Sequence, residues 1–215
     1  MQAVTRVLAI RHGETAWNLA ARIQGQLDIG LNETGRWQAR RLAQALADEP
    51  LAAVYASDLA RAHDTALALA APRGLPVKLE PALRERGFGR FEGSTFAEIE
   101  SRWPDDSARW RRREPLFAPG GGETLVDFYA RCIEVATRLA ARHPGEQIAL
   151  VSHGGVLDCL YRAATHIALD APRSWDVGNA SINRLLVTPQ GLSLVGWGDN
   201  FHLDAHPADA PAVET

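Results

Sequence analysis

The sequence predicts an α/β domain with a mostly parallel central sheet. Three observations point there. Short apolar runs at 7–10 (VLAI), 52–57 (AAVYAS) and 147–152 (QIALVS) read as buried strands, each is followed by an amphipathic helical repeat, and no internal repeat or linker interrupts the alternation. The 215 residues fit one large domain, which buries roughly 70% of its unfolded surface without a disulfide or structural metal. Residues 1–202 are assigned to that domain, and 203–215, rich in Ala, Pro and Asp, to a loose C-terminal tail.

The first run ends in RHG, where the glycine forms a turn. Asn32 then offers an N-cap to a helix whose Ala39, Leu42, Ala43 and Leu46 repeat at helical spacing until Pro50. After the second run comes a helix with Leu59, Ala62, Ala66 and Leu67 on one face. A weak strand, VKLE (77–80), lies between Pro76 and Pro81. From Arg84 to Gly122 the pattern loosens around one short helix near FAEIESRW, and this segment reads as an excursion over the active face. The strongest helix follows, with Leu125, Phe128, Tyr129, Cys132, Val135, Ala136 and Leu139 in one stripe and Thr124 with Asp127 as a capping pair. After the third run a helix spans about Val156 to Ala168, and INRLLVT with LSLVGWG around PQG reads as a hairpin.

Composition narrows the function. A net charge of −3 gives no reason to expect nucleic acid or an anionic membrane surface as a partner. No stretch approaches the ~18–20 apolar residues of a membrane span, and VLAI is shorter than the ~7–15 of a secretory signal. Cys132 and Cys159 are distant in sequence, lack metal or C-x-x-C spacing, and read as reduced, buried residues of a cytoplasmic protein. Of the 23 basic residues only Lys78 is a lysine, so an anionic ligand would be gripped by arginine forks rather than by a catalytic lysine. No cofactor is implied. Metal catalysis is disfavoured, since the histidines show no ligand spacing and Arg11 beside His12 would repel a cation.

Ligands of open α/β sheets bind at the carboxyl ends of strands. Three predicted strands end there in polar groups: Arg11 and His12, then Ser57 to Arg61, then His153 and Gly154. Each alone has an ordinary explanation as a solvated charge or a satisfied histidine. Two His-Gly pairs at equivalent positions, with arginines beside them, are harder to explain that way.

RHGETAWN (11–18), RIQGQLDIGLNETG (22–35), SDLARAHDTA (57–66), LRERGFGRFEG (83–93) and VSHGG (151–155), in this order and spacing, resemble the histidine phosphatase superfamily, the phosphoglycerate mutase-like family. The resemblance covers the chain to about residue 200. It implies a three-layer α/β/α sandwich and a metal-independent phosphomonoester hydrolase acting on small phosphorylated metabolites. It also implies a phosphohistidine formed on His12, a phosphoryl cage of Arg11, Arg61 and His153, and Glu85 as the acid. Asn18, Gln24, Gly25 and Gly154 match substrate-side phosphate contacts, with Gly25 letting backbone N–H approach. Gly13 is expected to spare the cleft a crowding side chain.

Two other readings stay open beside the phosphatase: a phosphoglycerate mutase, and a catalytically silent binding module. RIQGQLD resembles the phosphatase form rather than the mutase G-W-x-D. Phe88 stands where mutases carry a tyrosine, and no lysine follows it. Against this, the Trp110–Arg113 stretch WRRR resembles a mutase element that grips a carboxylate, although a charged helix end would read the same. Glu14 reads as a helix-start charge or an orienting partner for an arginine, His63 as a surface residue, and His166 as the last turn of a helix. Asn179 and Ser181 read either as a pocket border or as an ordinary turn.

Overall fold

The computed structural model describes residues 4–204. Six strands form one sheet in the order β3-β2-β4-β1-β5-β6: β1 (Thr5–Arg11), β2 (Ala53–Ala56), β3 (Val77–Leu79), β4 (Gln147–Ser152), β5 (Ile182–Thr188) and β6 (Gly191–Asp199). The β1–β4, β4–β2 and β2–β3 pairs are parallel, and the β5–β6 hairpin adds an antiparallel edge.

Among the described residues seven α-helices accompany the sheet: α1 (Ala16–Leu19), α2 (Glu33–Ala45), α3 (Ala60–Ala70), α4 (Phe96–Arg102), α5 (Pro104–Arg111), α6 (Leu125–Ala140) and α7 (Gly154–Thr165). Alternation along the strands creates two cores. Val7, Ala9, Ile148 and Leu150 pack towards α6 and α7, whereas Leu8, Ile10, Ala149 and Val151 pack towards α2 and α3. The result is the three-layer sandwich that the family resemblance implies.

Most expected elements are present at their expected places, and the departures have local causes. Leu67 turns outward, 47% exposed, while Leu69 takes the buried position. Residues 104–111 form a full helix instead of irregular chain: Pro104 opens it, Asp105 and Asp106 sit in its first turn, and Arg109 and Arg111 in its last, as the helix dipole favours. The helix expected over Val156–Ala168 starts at Gly154 with His153 as its N-cap, and ends before His166, which is left-handed (φ 58°) and lies just past the last turn. Leu203 and Asp204 close a 3-10 turn and its cap; the rest of the expected tail, 205–215, lies outside the described residues. Cys132 and Cys159, distant in sequence, are free, buried and adjacent across α6 and α7; burial first, then hydrogen bonding with Cys159, pushes the Cys132 thiol well up. Among the described residues no helix is long and apolar enough to cross a membrane.

Candidate active site

The parallel register brings three strand ends together. Arg11 lies opposite Ser152, and Ala56 opposite Val151, so the residues that follow each strand emerge side by side. The ladders continue one step further, with His12 N–H donating to the Ser152 carbonyl (2.9 Å) and Ser57 N–H to that of Val151 (3.0 Å). His12 leaves β1 and Arg61 stands in the first turn of α3 after β2; both line a cavity of about 600 Å³ together with Arg11, Glu85 and Gly154, while His153, fully buried after β4, lies against the His12 ring and does not itself line it.

His12 is almost wholly buried, its ring 5.2 Å from that of His153 at 60°. Its Nδ1 lies 2.7 Å from the Gly13 carbonyl, which can only accept, so Nδ1 carries the proton and Nε2 keeps a free lone pair. Burial first, then the charges of Arg11 and Arg61, hold this imidazole well below its ordinary pKa and therefore neutral. His153 is held neutral by burial, then by Arg61 and His12.

The two guanidinium groups are anchored by main chain. Arg61 is fully buried; its Nη1 donates to Leu27 O and its Nη2 to Gly25 O, both at 2.8 Å. Arg11 donates through Nη1 to Val177 O at 2.5 Å. Burial pushes its pKa down to about 10, against the raising effect of Glu85, which leaves it charged near neutrality. Both Nε atoms and both ring nitrogens of His153 are buried with no hydrogen-bond partner among the described residues. Buried donors are nearly always satisfied, so this cluster is built for an acceptor-rich anion.

Glu85 is aimed by backbone amides: Gly155 N–H donates to Oε2 (2.9 Å) and Arg86 N–H to Oε1 (2.8 Å). Arg131 of α6 fastens the segment from behind through the Ala82, Arg84 and Glu85 carbonyls. A Cβ on Gly155 would fall 2.2 Å from Glu85 Oε1, so glycine is required for this approach. Asn18 and Gln24 line the same cavity, and each uses its amide oxygen internally: Asn18 Oδ1 caps Thr15 N–H, and Thr15 Oγ1 donates to Gln24 Oε1 (3.1 Å). Their NH2 ends remain as donors.

The structure corrects several expectations. Gly13 is small because of α2, not the cleft: its Cβ would stand 2.5 Å from the Gly35 carbonyl. Gly25 lines the cavity as expected and in addition anchors Arg61 through its carbonyl, in a left-handed conformation (φ 51°) that suits glycine. Glu14 forms no ion pair with an arginine among the described residues; its Oε1 accepts from Asn32 Nδ2 (2.8 Å), so it supports a helix start, but that of α2 rather than of the helix it precedes. Arg111 and Arg113 line the cavity, yet all three arginines of the triplet are engaged: Arg111 with Glu100, Arg112 with Glu114, and Arg113 with Asp158 and the Leu169 carbonyl. Asn179 does border the site, donating to the His12 carbonyl at 2.9 Å, while Ser181 is buried next to Asn183. His63 lies at the surface beside Asp64.

Gly155 and Arg86 stand inside the VSHGG and LRERGFGRFEG motifs and Arg131 beside the apolar stripe of α6, but their roles, like Asp158 and Arg173 themselves, depend on contacts between distant segments that the sequence does not display.

Comparison with known proteins follows the same lines. A phosphoglycerate mutase-like protein of Arabidopsis thaliana is 39% identical over 202 residues, covering 92% of this chain and 86% of that protein. A metal-independent phosphoserine phosphatase, also of Arabidopsis thaliana, is 38% identical over 94% of this chain and 84% of its own length. A mycobacterial glucosyl-3-phosphoglycerate phosphatase superposes with a TM-score of 0.82 at 32% identity, covering 92% of this chain and 100% of the other. The model of the histidine phosphatase superfamily (branch 1) matches residues 7–200, from within β1 to just past β6. Strand ends, buried imidazoles and that nearly full-length match agree, and the chain belongs to the histidine phosphatase superfamily.

Proposed function

We propose that the protein, with residues 1–202 as one catalytic domain, hydrolyses small phosphomonoesters through a phosphohistidine on His12. One observation carries this reading. A neutral, buried imidazole has its Nδ1 proton tied to Gly13 O, which leaves Nε2 free, and it feels the charges of two guanidinium groups that line the same cavity.

In the first step His12 Nε2 attacks phosphorus in line, a N–P bond forms and the ester P–O bond breaks. Arg11, Arg61 and His153 donate to the phosphoryl oxygens, where positioning and charge stabilisation supply most of the rate. Glu85, at the cavity wall, gives its proton to the departing oxygen. In the second step water attacks phosphorus, Glu85 takes the water's proton, and inorganic phosphate leaves His12. Asn18, Gln24, Gly25 and Gly154 border the phosphate on the substrate side.

Hydrolysis is favoured over mutase chemistry by the outer wall. Phe88, without a hydroxyl, packs edge-on against Trp110, and the Trp-Arg-Arg arginines are taken by acidic side chains or carbonyls. The free thiols of Cys132 and Cys159 support a reducing, cytoplasmic setting. Release of phosphate from p-nitrophenyl phosphate tests the reading. Interconversion of 2- and 3-phosphoglycerate outpacing phosphate release would replace it with the mutase, and no phosphoryl transfer at all with the binding module.

A further inference from the structure

The cavity is far more cationic than one phosphoryl group requires, since seven arginines and two acids line it. Arg11 and Arg61 face the imidazoles. The outer five are Arg22, Arg86, Arg111, Arg113 and Arg173. Arg22 pairs with Glu98 and Arg111 with Glu100; Arg113 is bound to Asp158; and buried Arg86 donates to the Phe117 and Glu123 carbonyls. Arg173 is exposed and, among the described residues, makes no hydrogen bond or ion pair with an anion.

Its segment is nevertheless held firmly. Between α7 and β5, Arg162 donates to the Ala168 and Ala171 carbonyls, Arg113 Nε to Leu169 O (2.8 Å), and Arg11 Nη1 to Val177 O (2.5 Å). Trp175 stacks on Tyr161 with ring centroids 4.1 Å apart, and Trp197 Nε1 donates to Asp176 O (2.7 Å). Arg173 therefore projects from a fixed stretch of backbone rather than a free loop, and less entropy is lost when it engages a ligand. It lines the same cavity as Arg11, and its charge reaches that guanidinium, so it stands within range of a ligand held in the phosphoryl cage.

We infer that Arg173 binds a second anionic group on the alcohol portion of the substrate, and so selects phosphomonoesters that carry a carboxylate or a further phosphate. The inference rests on the phosphatase reading for its kinetics but not for its binding. It moves acidic-substrate selection from the WRRR stretch, whose arginines are occupied, to the segment before β5.

The test compares wild type, Arg173→Ala and Arg173→Lys on 3-phosphoglycerate and phosphoserine (carboxylate), fructose 1,6-bisphosphate (second phosphate) and glycerol 1-phosphate (uncharged alcohol). A charge-assisted hydrogen bond is worth about ten- to hundredfold in affinity. The ratio of kcat/KM on the acidic substrates to that on glycerol phosphate should fall by about this factor in Arg173→Ala, mostly through KM, with partial recovery in Arg173→Lys. The class whose ratio falls identifies the second anion. Calorimetric titration of the same compounds into His12→Ala, with and without Arg173→Ala, reads the same selectivity without turnover, so a failure of the phosphatase reading leaves this result standing. An unchanged ratio in Arg173→Ala, or equal losses on acidic and uncharged substrates, overturns the proposal.

Discussion

The inner and outer halves of the cavity are held in different ways. At the inner end the groups that face the phosphoryl position are fixed by main chain: Gly13 O orients His12, Gly25 and Leu27 carbonyls hold Arg61, Val177 O holds Arg11, and Gly155 N–H aims Glu85. On the outer wall, arginines of the 86–113 region are tied largely to acidic side chains, with Arg111, Arg112 and Glu100 well exposed. Backbone anchors come with the fold and move only if it moves. Exposed side-chain pairs are screened and exchange partners easily. The inner half is suited to chemistry that tolerates little displacement, the outer half to selection among substrates.

Changes at the inner end should therefore be drastic. His12→Ala removes the attacking nitrogen and should lower turnover by at least about 10³-fold. Wild type quenched with a slow substrate should carry acid-labile phosphate on His12. Retained turnover in the alanine variant would remove the nucleophile assignment.

Next in size are two changes at the acid. Glu85→Gln should cost about 10²–10⁴-fold on alkyl phosphates and much less on p-nitrophenyl phosphate, whose leaving group needs no proton. Gly155→Ala reaches the same carboxylate from behind: its Cβ would overlap Glu85 Oε1 at 2.2 Å and crowd Phe128 at 3.1 Å. A displacement of about 1 Å costs about 10²-fold, again chiefly on alkyl phosphates. Equal losses on both substrate types would make Glu85 a structural residue.

The same contrast decided what could be read in advance. Main-chain-anchored groups lie at strand ends, and a strand that breaks into Arg-His-Gly is visible in one dimension. Glu85 follows no strand and was identified only through its match to the family. Gly155 was legible as part of VSHGG, yet its purpose depends on a carboxylate seventy positions away, a relation that no local pattern carries. The α5 helix carries Pro104, Asp105 and Asp106 at its start but buries only Ser107, so it has no apolar stripe by which a helix is read. Arg173 left no trace, because its place in the cavity comes from tertiary pinning of an irregular segment.

Acid should distinguish the two halves by stability. His12 and His153 have their folded pKa pushed down by burial, whereas in the unfolded chain each titrates near ~6.5. Below that value the unfolded state binds protons that the folded state refuses, so stability is complete above pH ~6.5 and declines as pH falls, by up to about 1.4 kcal/mol per pH unit per imidazole. Urea titrations from pH 7 to 5 should show this slope in wild type and a shallower one in His153→Gln. An unchanged slope would mean that the imidazoles charge without cost. The outer ion pairs join arginines to carboxylates and place no imidazole in this window.

The smallest effect is expected in the arginine triplet itself. Arg112 is exposed, pairs with Glu114 at 2.7 Å and does not line the cavity. Its neighbour Arg113 lines the cavity and joins buried Asp158 to the Leu169 carbonyl, thereby tying the end of α5 to the segment that bears Arg173. Arg112→Ala should leave the melting temperature and kcat/KM on 3-phosphoglycerate unmoved, because a screened surface pair contributes little. Arg113→Ala should lower both, since it leaves buried Asp158 with Arg162 as its one remaining arginine among the described residues and loosens the outer wall. A loss in Arg112→Ala equal to that in Arg113→Ala would show that the triplet grips substrate directly, and the division between a backbone-built inner half and a side-chain-built outer half would have to be redrawn.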